Sequence, residues 1–87
     1  MENKKTTIVD VRTAEEFGLG HIAGTINIPL QEIPQRLAEF KLLAQPIILV
    51  CASGNRSGQA TQFLKSLGIE CENGGGWRNF NHNFQTV

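Results

Sequence analysis

The sequence has few cysteines, few prolines and no excess charge of either sign. Two cysteines, Cys51 and Cys71, are too few for a disulfide scaffold, so neither thiol is expected to be bridged. No stretch approaches the roughly 18 apolar residues of a membrane helix, and the first seven residues lack the apolar segment of a signal peptide. The chain as given is therefore expected in the cytoplasm. A periplasmic protein trimmed of its signal peptide would look the same.

The charge balance excludes two kinds of partner. Eight Lys and Arg offset eight Asp and Glu, so the formal net charge is zero. Binding to a phosphate backbone or an anionic membrane surface needs a positive excess. We therefore expect neither nucleic acid nor membrane as a partner.

Length and composition indicate one small globular domain over residues 1–87. A hydrophobic content of 40% is too high for a disordered chain. A chain of this size buries only about 60–65% of its unfolded surface, so the core is expected to be modest. Nine glycines against three prolines suggest tight turns rather than linkers.

Hydrophobic periodicity alternates between short β-type runs and helical windows, which is typical of a parallel sheet with crossover helices. Strands are predicted at 7–11, 25–29, 46–50 and 69–72. The run at 46–50 is the most apolar, as expected of a central strand buried on both faces. Thr13 and Glu16 form a capping-box pattern that opens a short helix.

Two further helices are predicted after the second and third strands. The apolar positions of the first are Ile33, Leu37 and Phe40, and those of the second are Ala60, Phe63, Leu64 and Leu67. Pro34 stands near the start of the first helix, and Gly68 fits a C′ cap of the second. The glycines at 74–76 predict a turn, and residues 77–84 predict a terminal turn or short helix.

The stretch that carries candidate chemistry is 50–58. Cys51 ends the buried strand and precedes a tight loop that opens a helix. Unpaired N–H groups and the helix dipole make such a position an anion site, which favours a thiolate. Gly54 lets the backbone curl, Arg56 offers a fork for a tetrahedral oxyanion such as thiosulfate or phosphate, and Ser57 is placed to cap the helix or donate to the anion.

A purely structural role for Cys51 remains an alternative interpretation of the same residues. A cysteine at a strand end is most often a small buried apolar residue, and Cys-x4-Arg alone is a weak pattern. The strand before it, the helix after it and the absence of an acid in the loop favour a reactive Cys51.

Four motifs in register resemble those of the single-domain rhodanese family. They are Asp-Val-Arg at 10–12 with Glu-Glu-Phe at 15–17, the segment 20–30 from Gly-His-Ile to Ile-Pro-Leu, Cys-Ala-Ser-Gly-Asn-Arg-Ser at 51–57, and Gly-Gly-Trp at 75–77. The resemblance implies a three-layer α/β fold with a central, mainly parallel sheet of about four to five short strands and helices on both faces. It also implies a sulfurtransferase that needs no cofactor, in which the loop cysteine accepts a sulfane sulfur as a persulfide.

The length of the loop distinguishes the sulfurtransferases from the related phosphatases and arsenate reductases. The six residues from Cys51 to Arg56 resemble the sulfurtransferases, whereas the phosphatase and arsenate-reducing branches carry one more residue. The predicted reaction moves sulfur from thiosulfate or another persulfide donor, through Cys51, to an acceptor such as cyanide or a thiol. Two alternatives remain: a persulfide-carrying or redox-sensing interaction module, and a phosphatase or arsenate reductase.

The resemblance also implies roles for individual residues. The catalytic residue is Cys51. The predicted substrate-binding loop consists of Ala52, Ser53, Gly54, Asn55, Arg56 and Ser57. Asp10 and Arg12 are expected to pair and to support that loop. The expected partners are a small anionic sulfur donor and a protein or low-molecular-weight thiol acceptor, and the chain is expected to be a monomer. Ala52 is small where several relatives place a polar or basic side chain, so acceptor recognition stays open.

The remaining chemistry-bearing side chains are assigned structural roles. His21 is expected to hold a turn and His82 to be solvated. Two Cys and two His are too scattered for a metal site. Cys71 is expected to point into the core rather than act as a resolving thiol. Trp77 is expected to cover the core, with partial lining of the pocket mouth as an alternative.

The charged residues are unevenly distributed along the chain, although the net charge is zero. All eight acids lie at or before Glu39 or at or after Glu70. The stretch 40–69 carries Lys41, Arg56 and Lys65 with no acid, so a positive surrounding is predicted for the loop.

Overall fold

The computed structural model describes residues 6–80. In chain order the elements are β1 (Thr7–Asp10), α1 (Ala14–Gly18), β2 (Ile26–Asn27), a 3-10 helix (Leu30–Arg36), α2 (Leu37–Leu42), β3 (Ile47–Cys51), α3 (Asn55–Ser66) and β4 (Cys71–Gly76). The predictions for residues 81–87, including His82 and the end of the terminal turn, lie outside the described residues.

The four strands form one parallel sheet in the order β2-β1-β3-β4. β3 is an interior strand and all five of its residues are buried. This confirms the predicted α/β fold and the central position of the most apolar run. Because strands of a parallel sheet end at the same edge, the C-terminal residues of β1, β3 and β4 meet there.

Side chains of β3 alternate between two cores, as strand geometry requires. Ile47, Leu49 and Cys51 belong to the larger core, which also contains Phe40 of α2 and Leu64 of α3. Ile48 and Val50 face the opposite side of the sheet. There they pack with Ile8, Ile22 and Phe80, and Trp77 lies against this cluster.

The segment predicted as one helix from Ile33 to Phe40 divides into two. It is a 3-10 helix as far as Arg36, and α2 begins at Leu37. Pro34 lies inside the 3-10 helix rather than near the start of an α-helix. A proline has no N–H and disfavours α geometry in the residue before it, which explains the tighter turn. Ile33 and Phe40 are buried as predicted.

The glycines at 74–76 do not form the predicted turn, because they continue strand β4. Leu49 pairs with Asn73 and Val50 with Gly75, so Gly74 is the extra residue of a bulge. A Cβ on Gly74 would lie 2.7 Å from Ile48 Cγ2. The glycines therefore allow an edge strand to pack closely on β3.

The end of α3 is as predicted, but part of the apolar face predicted for this helix is exposed. Gly68 has φ of 85° and donates to the Lys65 carbonyl at 3.0 Å, as expected of a C′ glycine. Phe63 and Leu67, predicted in the core, are 39% and 47% exposed. The buried positions of α3 are Ser57, Ala60, Thr61 and Leu64. The buried face of α3 is narrower than the predicted one because only one side of the helix packs against the sheet.

No helix within residues 6–80 is long and apolar enough to cross a membrane.

Candidate active site

Cys51 is the last residue of β3 and its side chain is fully buried. The Gly54 amide donates to Cys51 Sγ at 2.9 Å, and the Ser57 amide donates at 3.4 Å. The loop therefore surrounds the sulfur with N–H groups at the start of α3. This is the geometry of an anion site, with sulfur in the place of the anion.

Gly54 makes this tight loop possible. It is the N-cap of α3 with φ of 98°, a left-handed conformation that favours glycine. A Cβ there would lie 3.3 Å from Gly75 Cα in β4. Ser57 is therefore not the helix cap that the sequence suggested, because the helix already begins at Asn55. Its side chain turns inward to Cys51.

The pKa of the Cys51 thiol reflects two opposed effects. Burial acts to raise it, because a buried thiolate loses hydration. Hydrogen bonds from the Ser57 side chain and from the amides of Ser57, Gly54 and Ser53 stabilise the thiolate and outweigh burial. The net result is a pKa of Cys51 below its ordinary value, which increases the nucleophilic fraction at neutral pH.

Asn73 of β4 completes this network, although no pattern in the sequence identifies it. Its Oδ1 accepts from Ser57 Oγ at 2.6 Å and from the Gly75 amide at 2.9 Å. Its Nδ2 donates to the Gly54 carbonyl at 3.1 Å. Ser57 Oγ also lies 3.4 Å from Cys51 Sγ. Asn73 thus holds both the loop and the hydroxyl that contacts the sulfur.

Asp10 and Arg12 form a buried ion pair beside the end of β3. Arg12 Nη2 lies 2.8 Å from Asp10 Oδ2, with side chains 5% and 0% exposed. Arg12 also donates to the carbonyls of Glu16 and Gly20 at 3.2 and 2.7 Å. The predicted pairing is present, and Asp10 lies opposite Val50 in the sheet. Support of the catalytic loop by this pair stays a prediction.

Arg56 has a partner that no pattern in the sequence predicts. Its Nη1 and Nη2 lie 2.8 and 3.1 Å from the two carboxylate oxygens of Glu16. Glu16 therefore offsets part of the positive surrounding predicted for the loop, because folding brings α1 against a residue 40 positions later. The Arg56 contact, followed by the Thr13 amide of the capping box, lowers the pKa of Glu16 to about 2. Anion binding by Arg56 remains a prediction.

A cavity of about 270 Å³ lies beside the loop, and we call it the side cavity. Its walls include Arg12, Glu16, Leu19, Ala52, Trp77 and Arg78. Trp77 is half-buried and its amide donates to the Cys51 carbonyl at 2.8 Å. Trp77 therefore both packs on the smaller core and lines the cavity.

The second cysteine and the first histidine have structural surroundings. Cys71 is buried, and burial is the main cause that raises its pKa. It lies opposite Ile47, four residues before Cys51, so at about 3.3 Å per residue the Cα atoms of the two cysteines are at least about 13 Å apart. A disulfide needs Cα atoms within about 7 Å, so Cys71 does not resolve Cys51 in this fold. His21 Nδ1 contacts the Phe17 carbonyl at 2.9 Å.

Within residues 6–80, no three His, Cys, Asp or Glu side chains converge on a position that could hold a metal ion.

Comparison with known proteins finds relatives across most of the chain. A sequence profile described as the rhodanese-like domain matches residues 1–83. Thiosulfate sulfurtransferase PspE of Escherichia coli is 39% identical over 70 residues, covering 78% of this chain and 67% of the relative. The human thiosulfate:glutathione sulfurtransferase is 35% identical over 77 residues, covering 74% of this chain and 67% of the relative. An uncharacterized protein of Bacillus subtilis, YqhL, is 42% identical over 65 residues, and the chain spans 51% of its length.

Solved structures show the same similarity. A rhodanese-like domain protein from Staphylococcus aureus superposes with a TM-score of 0.78 at 35% identity, covering 93% of this chain and 79% of that one. A structure described as rhodanese with anions from E. coli gives 0.74 at 34% identity, covering 87% and 92%.

Proposed function

The chain belongs to the rhodanese-like family of sulfurtransferases, and on this premise we propose that it moves a sulfane sulfur from thiosulfate, or another persulfide donor, through a persulfide on Cys51. The observation that carries the proposal is the placement of Cys51 Sγ among inward-pointing amides of Gly54 and Ser57. These donors favour an anionic sulfur at that position, which the reaction needs both before and after loading.

In the first half-reaction the Cys51 thiolate attacks the outer sulfur of thiosulfate. A bond forms between Sγ and that sulfur while the S–S bond of thiosulfate breaks, and its electron pair leaves on sulfite. The new persulfide anion lies at the N-terminus of α3, where loop amides and the helix dipole stabilise negative charge. Arg56 keeps N–H donors that the Glu16 carboxylate does not use, and these are available to the departing sulfite.

In the second half-reaction the persulfide takes up a proton from water and an acceptor nucleophile attacks its outer sulfur. The S–S bond to Cys51 breaks and the electron pair returns to Sγ as the thiolate. Cyanide serves as the acceptor in an assay, and a thiol or a protein cysteine is the proposed acceptor in the cell.

Initial-rate kinetics with thiosulfate and cyanide test this proposal. A two-step route through a covalent intermediate gives parallel double-reciprocal lines when one substrate is varied at fixed levels of the other. Cys51→Ser is expected to abolish turnover, whereas the matched variant Cys71→Ser is expected to retain it. Intersecting lines, or turnover that survives Cys51→Ser, would contradict the proposal. Stoichiometric sulfur loading with very slow turnover would instead indicate a carrier of persulfide.

A further inference from the structure

The ion pair between Glu16 and Arg56 occupies one edge of the catalytic loop's single cation. Arg56 is the only charged residue in the stretch 51–57. Its Nη1 and Nη2 donate to the two carboxylate oxygens of Glu16 at 2.8 and 3.1 Å. A guanidinium group has five N–H donors, so three are not used by Glu16. Arg56 is therefore able to hold Glu16 and a small anion at the same time.

The same pair offsets the charge that Arg56 brings to the loop. A carboxylate held by two hydrogen bonds weakens the attraction of the guanidinium for a second anion. The pKa of Arg56 is raised first by Glu16 and more weakly by the negative charges of Cys51 and Asp10. Arg56 therefore lies within electrostatic reach of the reacting sulfur, and Glu16 reduces the attraction that it offers to an anion there.

The position of Glu16 is fixed by α1 independently of Arg56. Glu16 Oε1 accepts from the Thr13 amide at 3.0 Å, and the Glu16 amide donates to Thr13 Oγ1 at 3.1 Å. These are the two bonds of the capping box. The carboxylate also lines the side cavity together with Ala52, the residue that follows Cys51. Its negative charge is thus held beside the loop.

The proposed reaction requires the loop to bind one small anion and then to release another. Thiosulfate enters the loop and sulfite leaves it. Binding energy that is the same for substrate and transition state lowers KM without raising kcat, and equal affinity for sulfite slows product release. An arginine without a counter-ion would also attract sulfate and phosphate, which do not react. A counter-ion that weakens this attraction therefore favours turnover.

We propose that Glu16 is a positioning residue that acts through Arg56 and limits the affinity of the catalytic loop for small oxyanions. The inference rests on the proposed sulfurtransferase function and adds a determinant of its specificity. The carboxylate holds the guanidinium at the loop while it offsets the guanidinium charge. Sulfite is then released after each transfer, and sulfate or phosphate does not remain in the loop in place of thiosulfate.

The test compares the variants Glu16→Gln and Glu15→Gln with wild-type protein. Glu16→Gln removes the charge but keeps an acceptor oxygen for the capping box and for Arg56. Glu15 is exposed, lies in the same first turn of α1 and forms no ion pair within residues 6–80. Glu15→Gln therefore removes an equal charge from the same helix without altering the pair.

Two measurements are made on each protein. Isothermal titration with sodium sulfate at constant ionic strength gives the dissociation constant of the anion without any turnover. Initial rates with thiosulfate and cyanide give kcat, KM for thiosulfate and the inhibition constant of sulfate.

We expect both sulfate constants and KM for thiosulfate to fall together by about fivefold in Glu16→Gln, with no rise in kcat. A change of this size fits the loss of one partly exposed charge near a bound dianion. Glu15→Gln should stay within about twofold of wild type. The gain in affinity should disappear when Glu16→Gln is combined with Arg56→Gln, because it depends on the guanidinium.

A purely structural role for Glu16 predicts the opposite sign, since a loosened guanidinium would bind sulfate and thiosulfate more weakly. A rise in these constants, no change, or an equal fall in Glu15→Gln would overturn the proposal. So would a gain in affinity that survives the loss of Arg56. Failure of the wild-type protein to transfer sulfur would overturn the proposed function, whereas the sulfate dissociation constants would still decide whether Glu16 limits anion affinity.

Discussion

Removal of the Ser57 hydroxyl should raise the pKa of Cys51, because the thiolate loses about 1.5 kcal/mol of stabilisation. Ser57→Ala deletes the hydroxyl contact at 3.4 Å but keeps the Ser57 amide contact, because that donor belongs to the backbone. A hydrogen bond to a charged group contributes about 1.5–3 kcal/mol. We take the lower end because the hydroxyl has a single proton, which it donates to Asn73 Oδ1 at 2.6 Å and must redirect in order to donate to the thiolate.

The pKa of Cys51 is expected to rise because the hydroxyl stabilises the thiolate form rather than the thiol. A donor to the thiolate lowers the pKa of Cys51, so its removal raises that pKa and decreases the thiolate fraction at a pH near that pKa. Thiolate absorbance in the far ultraviolet, measured against Cys51→Ser over a pH series, gives the pKa directly. The rate of sulfur loading should shift along the pH axis by the same amount.

Thr61→Val provides the matched control. Its hydroxyl donates to the Ser57 carbonyl at 2.7 Å one turn along α3, and it does not contact the sulfur. Its loss should leave the pKa of Cys51 unchanged. An unchanged pKa in Ser57→Ala, or an equal rise in both variants, would refute the reasoning that this hydroxyl stabilises the thiolate.

Three further predictions concern the surroundings of the sulfur. Gly76→Ala places a Cβ 2.8 Å from a loop carbonyl oxygen, so it should destabilise the fold by about 1–3 kcal/mol and slow the loading of sulfur. Gly18→Ala is the control, because a Cβ at Gly18 has nothing within 4 Å. Thermal unfolding and the loading rate should both be unchanged in Gly18→Ala. Glu16→Gln should remove a pH-dependent contribution to stability: the lowered pKa of Glu16, about 2, makes its pairing with Arg56 fully effective above the ordinary value of 4.5 and lost as pH falls toward 2. Urea titrations of wild type and variant should therefore differ at neutral pH and converge in acid; a constant difference would contradict this. Asp10→Asn leaves a buried guanidinium without its carboxylate, so unfolding in urea should show a loss of about 3–5 kcal/mol; a loss below about 1 kcal/mol would exclude the pair as a structural element.

The features of the fold that the sequence predicted are those set by local chemistry. The capping box of Thr13 and Glu16 forms with both of its hydrogen bonds, and Gly68 ends α3 in the expected left-handed conformation. The apolar run that ends at Val50 becomes β3, an interior strand in which all five residues are buried. The glycines at 74–76 were misinterpreted, since conformational freedom suits a turn and a bulged strand equally, and only the register against β3 distinguishes them.

The contacts of the candidate site that the sequence does not predict are long-range contacts. Cys51 and its loop are contiguous in sequence, so the pattern of residues predicts their proximity. Glu16 reaches Arg56 across 40 positions, and Asn73 reaches Ser57 across 16. Neither contact leaves a periodic signal in the chain. An Asn followed by glycines was a weak indication that the last strand approaches the loop closely.

Intact mass spectrometry after incubation with thiosulfate tests the central claim most directly. The account predicts that the protein gains one sulfur atom, that peptide mapping places it on Cys51, and that cyanide removes it. Cys51→Ser should gain none, and Cys71→Ser should gain as much as wild type. No gain of mass in the wild-type protein, or a gain that persists in Cys51→Ser, would contradict the account.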